Sequence, residues 1–149
     1  MKKVYIVSHS HWDREWYLPY EQHHMRLVRL IDDLLDLFRN DPNFMSFHLD
    51  GQTIILGDYL QVRPEKKPML EKYIREGRLK IGPFYILQDS FLISSEANTR
   101  NMLIGFEESR KWGVPVRLGY FPDTFGNIGQ TPQMMREAGL DVAVFGRGV

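Results

Sequence analysis

The chain has 149 residues, of which 43% are hydrophobic and 26% charged, a composition typical of a folded domain and not of a disordered segment. Lys plus Arg and Asp plus Glu both number 19, so a zero formal net charge gives no electrostatic attraction to nucleic acid or to an anionic membrane. There is no cysteine, which excludes disulfides and leaves His, Asp and Glu as possible metal ligands.

The first predicted element is a strand over residues 4–7, with the sequence VYIV. A short, β-branched apolar run of this kind is typical of a strand buried on both faces of a parallel sheet. The run is too short for a signal peptide or a membrane-spanning helix, so we expect a cytoplasmic location.

Helical periodicity and turn residues divide the rest of the chain into alternating helices and strands. The predicted helices cover residues 21–38, 54–62, 68–75, 94–112 and 131–139, and the predicted strands cover residues 45–49, 79–81, 116–121 and 142–145. This order predicts an α/β fold, a parallel β-sheet with covering helices and right-handed crossovers. Five strands are too few to close a barrel, so we expect residues 1–149 to be the N-terminal portion of a barrel catalytic domain, with no second domain.

Polar side chains follow the predicted strand ends, and the first group carries most of the chemistry. His9, His11 and Asp13 alternate, so an extended backbone would direct all three to one side. Imidazole nitrogen and carboxylate oxygen are ligands that zinc accepts, and His11 and Asp13 could present one of each to a single ion. His9 could instead lie behind or beneath the site. The alternative is that these are polar residues at a strand end, hydrogen-bonded to loops.

Asp123 is the second candidate centre, in the sequence GYFPDTFGNIGQTP. Pro122 favours an extended residue before it, so the strand should run on to the acid. A carboxylate there could be a nucleophile or a metal ligand. The alternative is an Asx turn, in which Asp123 accepts a hydrogen bond from its own backbone two residues on.

Several aromatic and polar residues are secondary candidates. Trp12 and Trp16 lie four residues apart in a polar loop, where indole rings could form a platform for the apolar face of a sugar. Asp89 is the local carboxylate best placed to act as an acid. Of the histidines, His23, His24 and His48 are weaker candidates: we expect His23 and His24 to be solvated at the start of a helix, and His48 to be structural.

The paired motifs HSHWDREWY and GYFPDTFG, about a hundred residues apart, resemble the retaining class II α-mannosidases of glycoside hydrolase family 38. HLDGQT, GPFYILQD and FGRGV are similar to the bacterial branch of that family. The similarity extends over essentially the whole chain, which would be the N-terminal part of the family's catalytic domain.

This resemblance implies the front portion of a seven-stranded (β/α) barrel that binds one zinc ion and cleaves terminal α-mannosidic bonds in mannose-containing oligosaccharides. By matching position, His11, Asp13 and Asp123 would be zinc ligands, and Asp123 would also be the catalytic nucleophile. Trp16 would stack under the sugar, and Arg147 would lie near the nucleophile. The family's fourth ligand and its acid/base carboxylate would lie outside this chain, which leaves Asp89 as a substrate-binding or supporting group.

Two alternatives remain at this point. One is a metal-dependent carbohydrate deacetylase, which would use a metal-bound water in place of an enzyme nucleophile. The other is a non-catalytic fragment without a complete site. We expect residues 1–149 alone to bind zinc weakly, to hydrolyse nothing and to be poorly soluble or to associate, and we note that the full-length protein could form a homo-oligomer.

Overall fold

A computed structural model describes residues 2–148 of the chain. Helices and short parallel strands alternate, as the sequence predicts. The helices are α1 (Tyr20–Asn40), α2 (Ile54–Val62), α3 (Lys67–Arg75), α4 (Ser95–Trp112) and α5 (Thr131–Glu137). The strands are β1 (His9–Ser10), β2 (Phe47–Leu49), β3 (Leu79–Lys80), β4 (Gly119–Phe121) and β5 (Ala143–Phe145). The predicted domain extends from residue 1 to residue 149, and these two terminal residues lie outside the described part of the chain.

The strands form two parallel sheets, of order β1-β2-β3 and β4-β5. The register of the first sheet pairs His9 with His48 and Ser10 with Leu49. A main-chain hydrogen bond from Val116 N–H to the Ile81 carbonyl, 3.1 Å, connects the segments that flank β3 and β4. The residues that follow β1, β2 and β4 are therefore brought to the same edge of the fold.

The helices cover this framework through two apolar clusters. The larger cluster packs α1, α2 and α3 against the first sheet, and Phe38, Tyr59 and Leu49 are fully buried in it. The smaller cluster lies between α4, α5 and the second sheet, and it contains Phe106 and Phe121. Ser94 caps α4 by accepting a hydrogen bond from Ala97 N–H, as its position before the helix predicts.

The prediction of a buried strand over residues 4–7 is wrong. Val4, Tyr5, Ile6 and Val7 are 67–91% exposed, and the strand consists of His9–Ser10 alone. The ladder on β2 begins where His48 N–H donates to the Ser8 carbonyl, and no described residue covers the preceding run. A β-branched sequence forms a strand only where a neighbouring strand pairs with its backbone and other side chains pack against it.

Candidate active site

His11, just beyond β1, brings two carboxylates together at the edge where the strands end. Its Nε2 lies 3.4 Å from Asp13 Oδ1 and 3.6 Å from Asp123 Oδ2. The side chains of His11, Asp13 and Asp123 are 30%, 42% and 46% exposed, so all three are open to solvent from one side. The structure therefore brings together three residues that lie up to 112 positions apart in the sequence.

These side chains line a small cavity of about 90 Å³, here named the rim cavity. Its other lining residues come from the segments that follow β3 and β4, and they are Leu87, Gln88, Asp89, Thr124 and Phe125. Two grooves beside α5 are larger, about 570 and 870 Å³, but their linings are mainly apolar and contain no histidine. The rim cavity combines one histidine with three carboxylates, those of Asp13, Asp89 and Asp123.

Asp123 is held from its far side by Arg147. The guanidinium NH2 lies 2.7 Å from Asp123 Oδ1, and Arg147 Nε donates to the Asp123 carbonyl, 3.1 Å. The same guanidinium stacks over the Phe125 ring, 3.8 Å from its centroid. The pairing leaves Asp123 Oδ2 facing His11, so one oxygen is fixed and the other faces the cavity.

Asp89 connects the segments after β3 and β4. Its Oδ1 accepts a hydrogen bond from Phe125 N–H, 2.9 Å. An Asx turn at Asp123 would use that same N–H, so this alternative for Asp123 is wrong. Asp89 lines the rim cavity and supports the loop that carries Asp123.

Asp50 is the site residue that sequence reasoning did not assign. It is fully buried, and its Oδ1 lies 3.2 Å from His11 Nδ1. This hydrogen bond is the main reason why the pKa of His11 is raised above its ordinary value, with burial opposing it and the charges of Asp13 and Asp123 adding to it. The sequence signal that could have identified Asp50 is an acidic residue directly before Gly51 at the end of a predicted strand.

The two tryptophans have different environments. Trp12 packs against the larger apolar cluster, and its ring lies 4.5 Å from that of His23, so Trp12 is not part of an exposed sugar platform. Trp16 is 55% exposed and packs edge-on against Tyr17 at 4.7 Å. Trp16 is not among the residues that line the rim cavity, so its sugar-binding role stays a prediction.

A partly buried ion pair anchors the loop that carries Trp16. Arg14 donates from Nε and NH2 to the two carboxylate oxygens of Asp58, at 2.7 and 2.8 Å, and Asp58 is almost completely buried in α2. A planar guanidinium matched to a carboxylate by two parallel hydrogen bonds fixes orientation as well as distance. The segment between Asp13 and α1 is thereby tied to the helical layer.

The other histidines lie away from the rim cavity. The prediction that His23 and His24 are solvated is wrong: both are buried, and His24 Nε2 lies 2.7 Å from the Asp58 carbonyl. His9 Nδ1 hydrogen-bonds the Tyr120 hydroxyl, 2.8 Å, so His9 is directed to β4 of the second sheet. His48 packs against the Tyr120 ring and is buried, as a structural histidine would be.

In residues 2–148, no group of three or more His, Asp or Glu side chains is already arranged so that it could hold a metal ion. His11 approaches each of two carboxylates, but the three groups are not closed around one point. Across the same residues, no helix is both long and apolar enough to cross a membrane.

Comparison with known proteins gives consistent matches. The family described as "Glycosyl hydrolases family 38 N-terminal domain" matches residues 1–148. A protein of Halalkalibacterium halodurans named "Putative mannosylglycerate hydrolase" is 60% identical over 149 residues, which are 99% of this chain and 17% of that protein. "Alpha-mannosidase 2" of Spodoptera frugiperda is 27% identical over 153 residues, 97% of this chain and 13% of that protein.

A search of solved structures also finds an alpha-mannosidase. The crystal structure of an alpha-mannosidase from Enterococcus faecalis V583 superposes with a TM-score of 0.97 at 76% identity, and the match covers 100% of this chain and 17% of that one. The chain thus spans about one sixth of the length of the Halalkalibacterium halodurans relative and of this solved structure.

Proposed function

This chain belongs to glycosyl hydrolase family 38, and we propose that it supplies part of the active site of a zinc-dependent, retaining α-mannosidase with Asp123 as nucleophile. The observation that carries the proposal is the position of His11 Nε2 between the carboxylates of Asp13 and Asp123. The names of the family's relatives, which are mannosidases and a mannosylglycerate hydrolase, support an α-mannosidic substrate. The proposal includes a (β/α) barrel, of which this chain would form the front portion.

The donor groups of His11, Asp13 and Asp123 suit zinc in type, and the two distances from His11 Nε2 suit ligands of one ion. Two ligand atoms bound to one tetrahedral zinc at roughly 2.0–2.2 Å lie about 3.3–3.6 Å apart. The observed separations of 3.4 and 3.6 Å from His11 Nε2 match this range. Arg147 already holds Asp123 with Oδ2 toward His11, so closing the set would require a rotation of the solvent-accessible Asp13, and a further ligand would come from outside this chain.

When bound, zinc would hold two adjacent sugar hydroxyls and favour the flattened, oxocarbenium-like form of the ring. Asp123 supplies the nucleophilic oxygen, and Arg147 compensates its charge and holds its second oxygen. The bond from Asp123 to the anomeric carbon forms as the glycosidic bond breaks. A second carboxylic acid, about 5–5.5 Å away in a retaining enzyme, protonates the departing oxygen.

Water then completes the reaction. The second carboxylate removes a proton from water, which attacks the anomeric carbon and releases the sugar from Asp123 with its configuration retained. Trp16 would stack on the sugar ring. The Phe125 N–H occupies Asp89 Oδ1. Asp89 would therefore act as a substrate-binding group through its other oxygen.

Trapping with a fluorinated mannosyl donor tests this function in the full-length protein. We expect one covalent glycosyl adduct, located on the peptide that contains Asp123 by mass spectrometry. Asp123→Asn should form no adduct and should lower kcat/KM by about 10³-fold or more, because the nucleophile is lost. Release of acetate from an acetylated sugar without any adduct would instead support the deacetylase alternative.

The relative of 60% identity favours one substrate within this class. Its name indicates hydrolysis of mannosylglycerate, in which the leaving group is a small acid and not a second sugar. We propose that mannosylglycerate is the preferred substrate. Its kcat/KM should exceed those of a nitrophenyl α-mannoside and of an α-linked mannobiose. A kcat/KM for mannosylglycerate below that for both other substrates would contradict this preference.

A further inference from the structure

Asp50 is a fully buried carboxylate directly behind His11. Its Oδ1 lies 3.2 Å from His11 Nδ1, and its Oδ2 accepts hydrogen bonds from Trp12 N–H at 2.6 Å and from Gln52 Nε2 at 2.8 Å. A buried carboxylate needs several donors to offset the loss of water, and two of these three, His11 and Trp12, belong to the segment that follows β1. Asp50 is thus committed to the segment that carries His11.

The strand register explains how Asp50 reaches this position. Because Leu49, the last residue of β2, pairs with Ser10, Asp50 follows the strand next to His11. Asp50 and Gly51 both have a left-handed backbone, with φ of 51° and 66°, which turns the chain sharply after the strand. Aspartate and asparagine tolerate this conformation better than most residues, and a Cβ on Gly51 would press against Tyr120.

The partners of Asp50 determine where His11 carries its proton. An ionised carboxylate only accepts hydrogen bonds, so His11 Nδ1 must be the donor to Oδ1. The amide of Gln52 has a fixed orientation, because its Nε2 also donates to the Trp12 carbonyl and its Oε1 accepts from Leu87 N–H. Reversing the amide would break both of these hydrogen bonds. In the neutral ring the lone pair therefore lies on Nε2, the atom that faces Asp13 and Asp123.

We infer that Asp50 is a positioning residue, which fixes the tautomer and ring orientation of His11 so that Nε2 is presented to a divalent cation. The inference rests on the proposed function for the cation itself. A carboxylate on the far nitrogen of a ligating histidine raises its basicity and restricts its rotation, and its loss commonly lowers metal affinity 10- to 100-fold.

Asp50→Asn tests this role most sharply. Asparagine has the same size and shape as aspartate and also tolerates the positive φ at this position. Its amide oxygen would keep the bonds from Trp12 and Gln52, which places the NH2 against His11 Nδ1. The imidazole would then have to accept there and move its proton to Nε2, the wrong tautomer for ligation. We expect zinc affinity of the full-length protein, measured by chelator competition, to fall about 10- to 100-fold.

Three further variants complete the test. Asp32→Asn is the control, because Asp32 accepts a hydrogen bond from the Tyr59 hydroxyl at 2.6 Å, pairs with Arg63 and makes no contact with His11, and it should change zinc affinity less than about twofold. Asp50→Gly suits the same backbone and should act in the same direction if Asp50→Asn does not fold. His11→Ala tests the cation site itself and should weaken zinc binding at least as much.

X-ray absorption at the zinc edge provides a signature that a general loss of stability would not change. Scattering from coordinated imidazole should be weaker in zinc-loaded Asp50→Asn than in the wild type and unchanged in Asp32→Asn. Wild-type affinity and spectrum in the Asp50 variants, with binding lost in His11→Ala, would overturn the role of Asp50 and leave the proposed function intact. Unchanged binding in His11→Ala would overturn the cation site and this inference together.

Discussion

At the scale of single residues, the contact between Arg147 and Asp123 is the first that activity can test. Arg147→Ala should lower kcat/KM about 10- to 100-fold, because a hydrogen bond to a charged group is worth about 1.5–3 kcal/mol. Steady-state kinetics on the full-length protein would measure it. Arg110, which lies over Phe106 on the outer helical layer, offers the control Arg110→Ala, with no change expected. Equal activities for both variants would contradict the role of Arg147.

His48 predicts a specific pH dependence of stability. Burial lowers the pKa of His48 to about 4 from its ordinary 6.5, and neither ring nitrogen has a hydrogen-bond partner among residues 2–148. Above pH 6.5 the ring is neutral in both the folded and unfolded states. As the pH falls from 6.5 to about 4, only the unfolded state binds the proton, so stability falls by up to about 3 kcal/mol.

Urea unfolding of the wild type and of His48→Phe across this pH range measures the effect. The variant lacks the titrating group and fills a similar volume, so its free energy of unfolding should fall less steeply toward pH 4. Parallel profiles for the two proteins would show that His48 takes up its proton in the folded state.

The sequence was sufficient to predict which residues meet at the rim cavity, but not how they are supported. His11, Asp13 and Asp123 follow strand ends, and parallel strands bring such ends to one edge. Asp50 could not be assigned, because its role depends on the register between β1 and β2 and on the left-handed turn at Gly51. His23 and His24 were misplaced because Trp12 and Asp58, which bury them, come from other segments.

At the scale of elements, the packing of α4 depends on Gly105. A Cβ at this position would clash with the main chain of Pro83, Phe84 and Tyr85, so the helix lies directly on the segment that follows β3. Gly105→Ala should therefore destabilise the protein by about 1–3 kcal/mol, as overpacking does. Thermal and urea unfolding would measure the change.

Gly57 in α2 provides the matched control. A Cβ there meets nothing within 4 Å, so Gly57→Ala should stabilise the protein by roughly 0.5–1 kcal/mol through better helix propensity. If Gly105→Ala stabilises the protein as Gly57→Ala does, the close approach of α4 does not limit the packing.

Helices were predicted more accurately than strands. The α2 limits agree with the prediction, and the other helices differ by at most two residues at either end, because amphipathic spacing and end signals are local. Strand limits depend on partners, and β4 begins at Gly119 where residue 116 was predicted. The exposed run at residues 4–7 is the extreme case, since its apolar character is evident but its partner is not.

At the scale of the whole molecule, exposed apolar side chains collect at the outer edges of the two sheets. Val4 and Ile6 are 81% and 91% exposed beside β1, and Val144 and Phe145 on β5 are 47% and 38% exposed. Apolar patches at unpaired strand edges are sites of association. Residues 1–149 expressed alone should therefore self-associate, and they should not hydrolyse α-mannosides.

Sedimentation velocity of residues 1–149 would measure this association, with Ile6→Lys as a variant that places a charge at the β1 edge. The variant should shift the distribution toward the monomer. A wild-type fragment that stays monomeric at tens of micromolar, or that turns over a nitrophenyl α-mannoside, would contradict the expectation.

The proposed function requires one divalent ion held jointly by His11 and Asp13 after β1 and by Asp123 after β4. Anomalous scattering from a crystal of the full-length protein, with data collected on both sides of the zinc absorption edge, would locate this ion. We expect one strong peak within roughly 2.0–2.2 Å of His11 Nε2 and of carboxylate oxygens of Asp13 and Asp123. A zinc-loaded active crystal with no peak between these three side chains would contradict it.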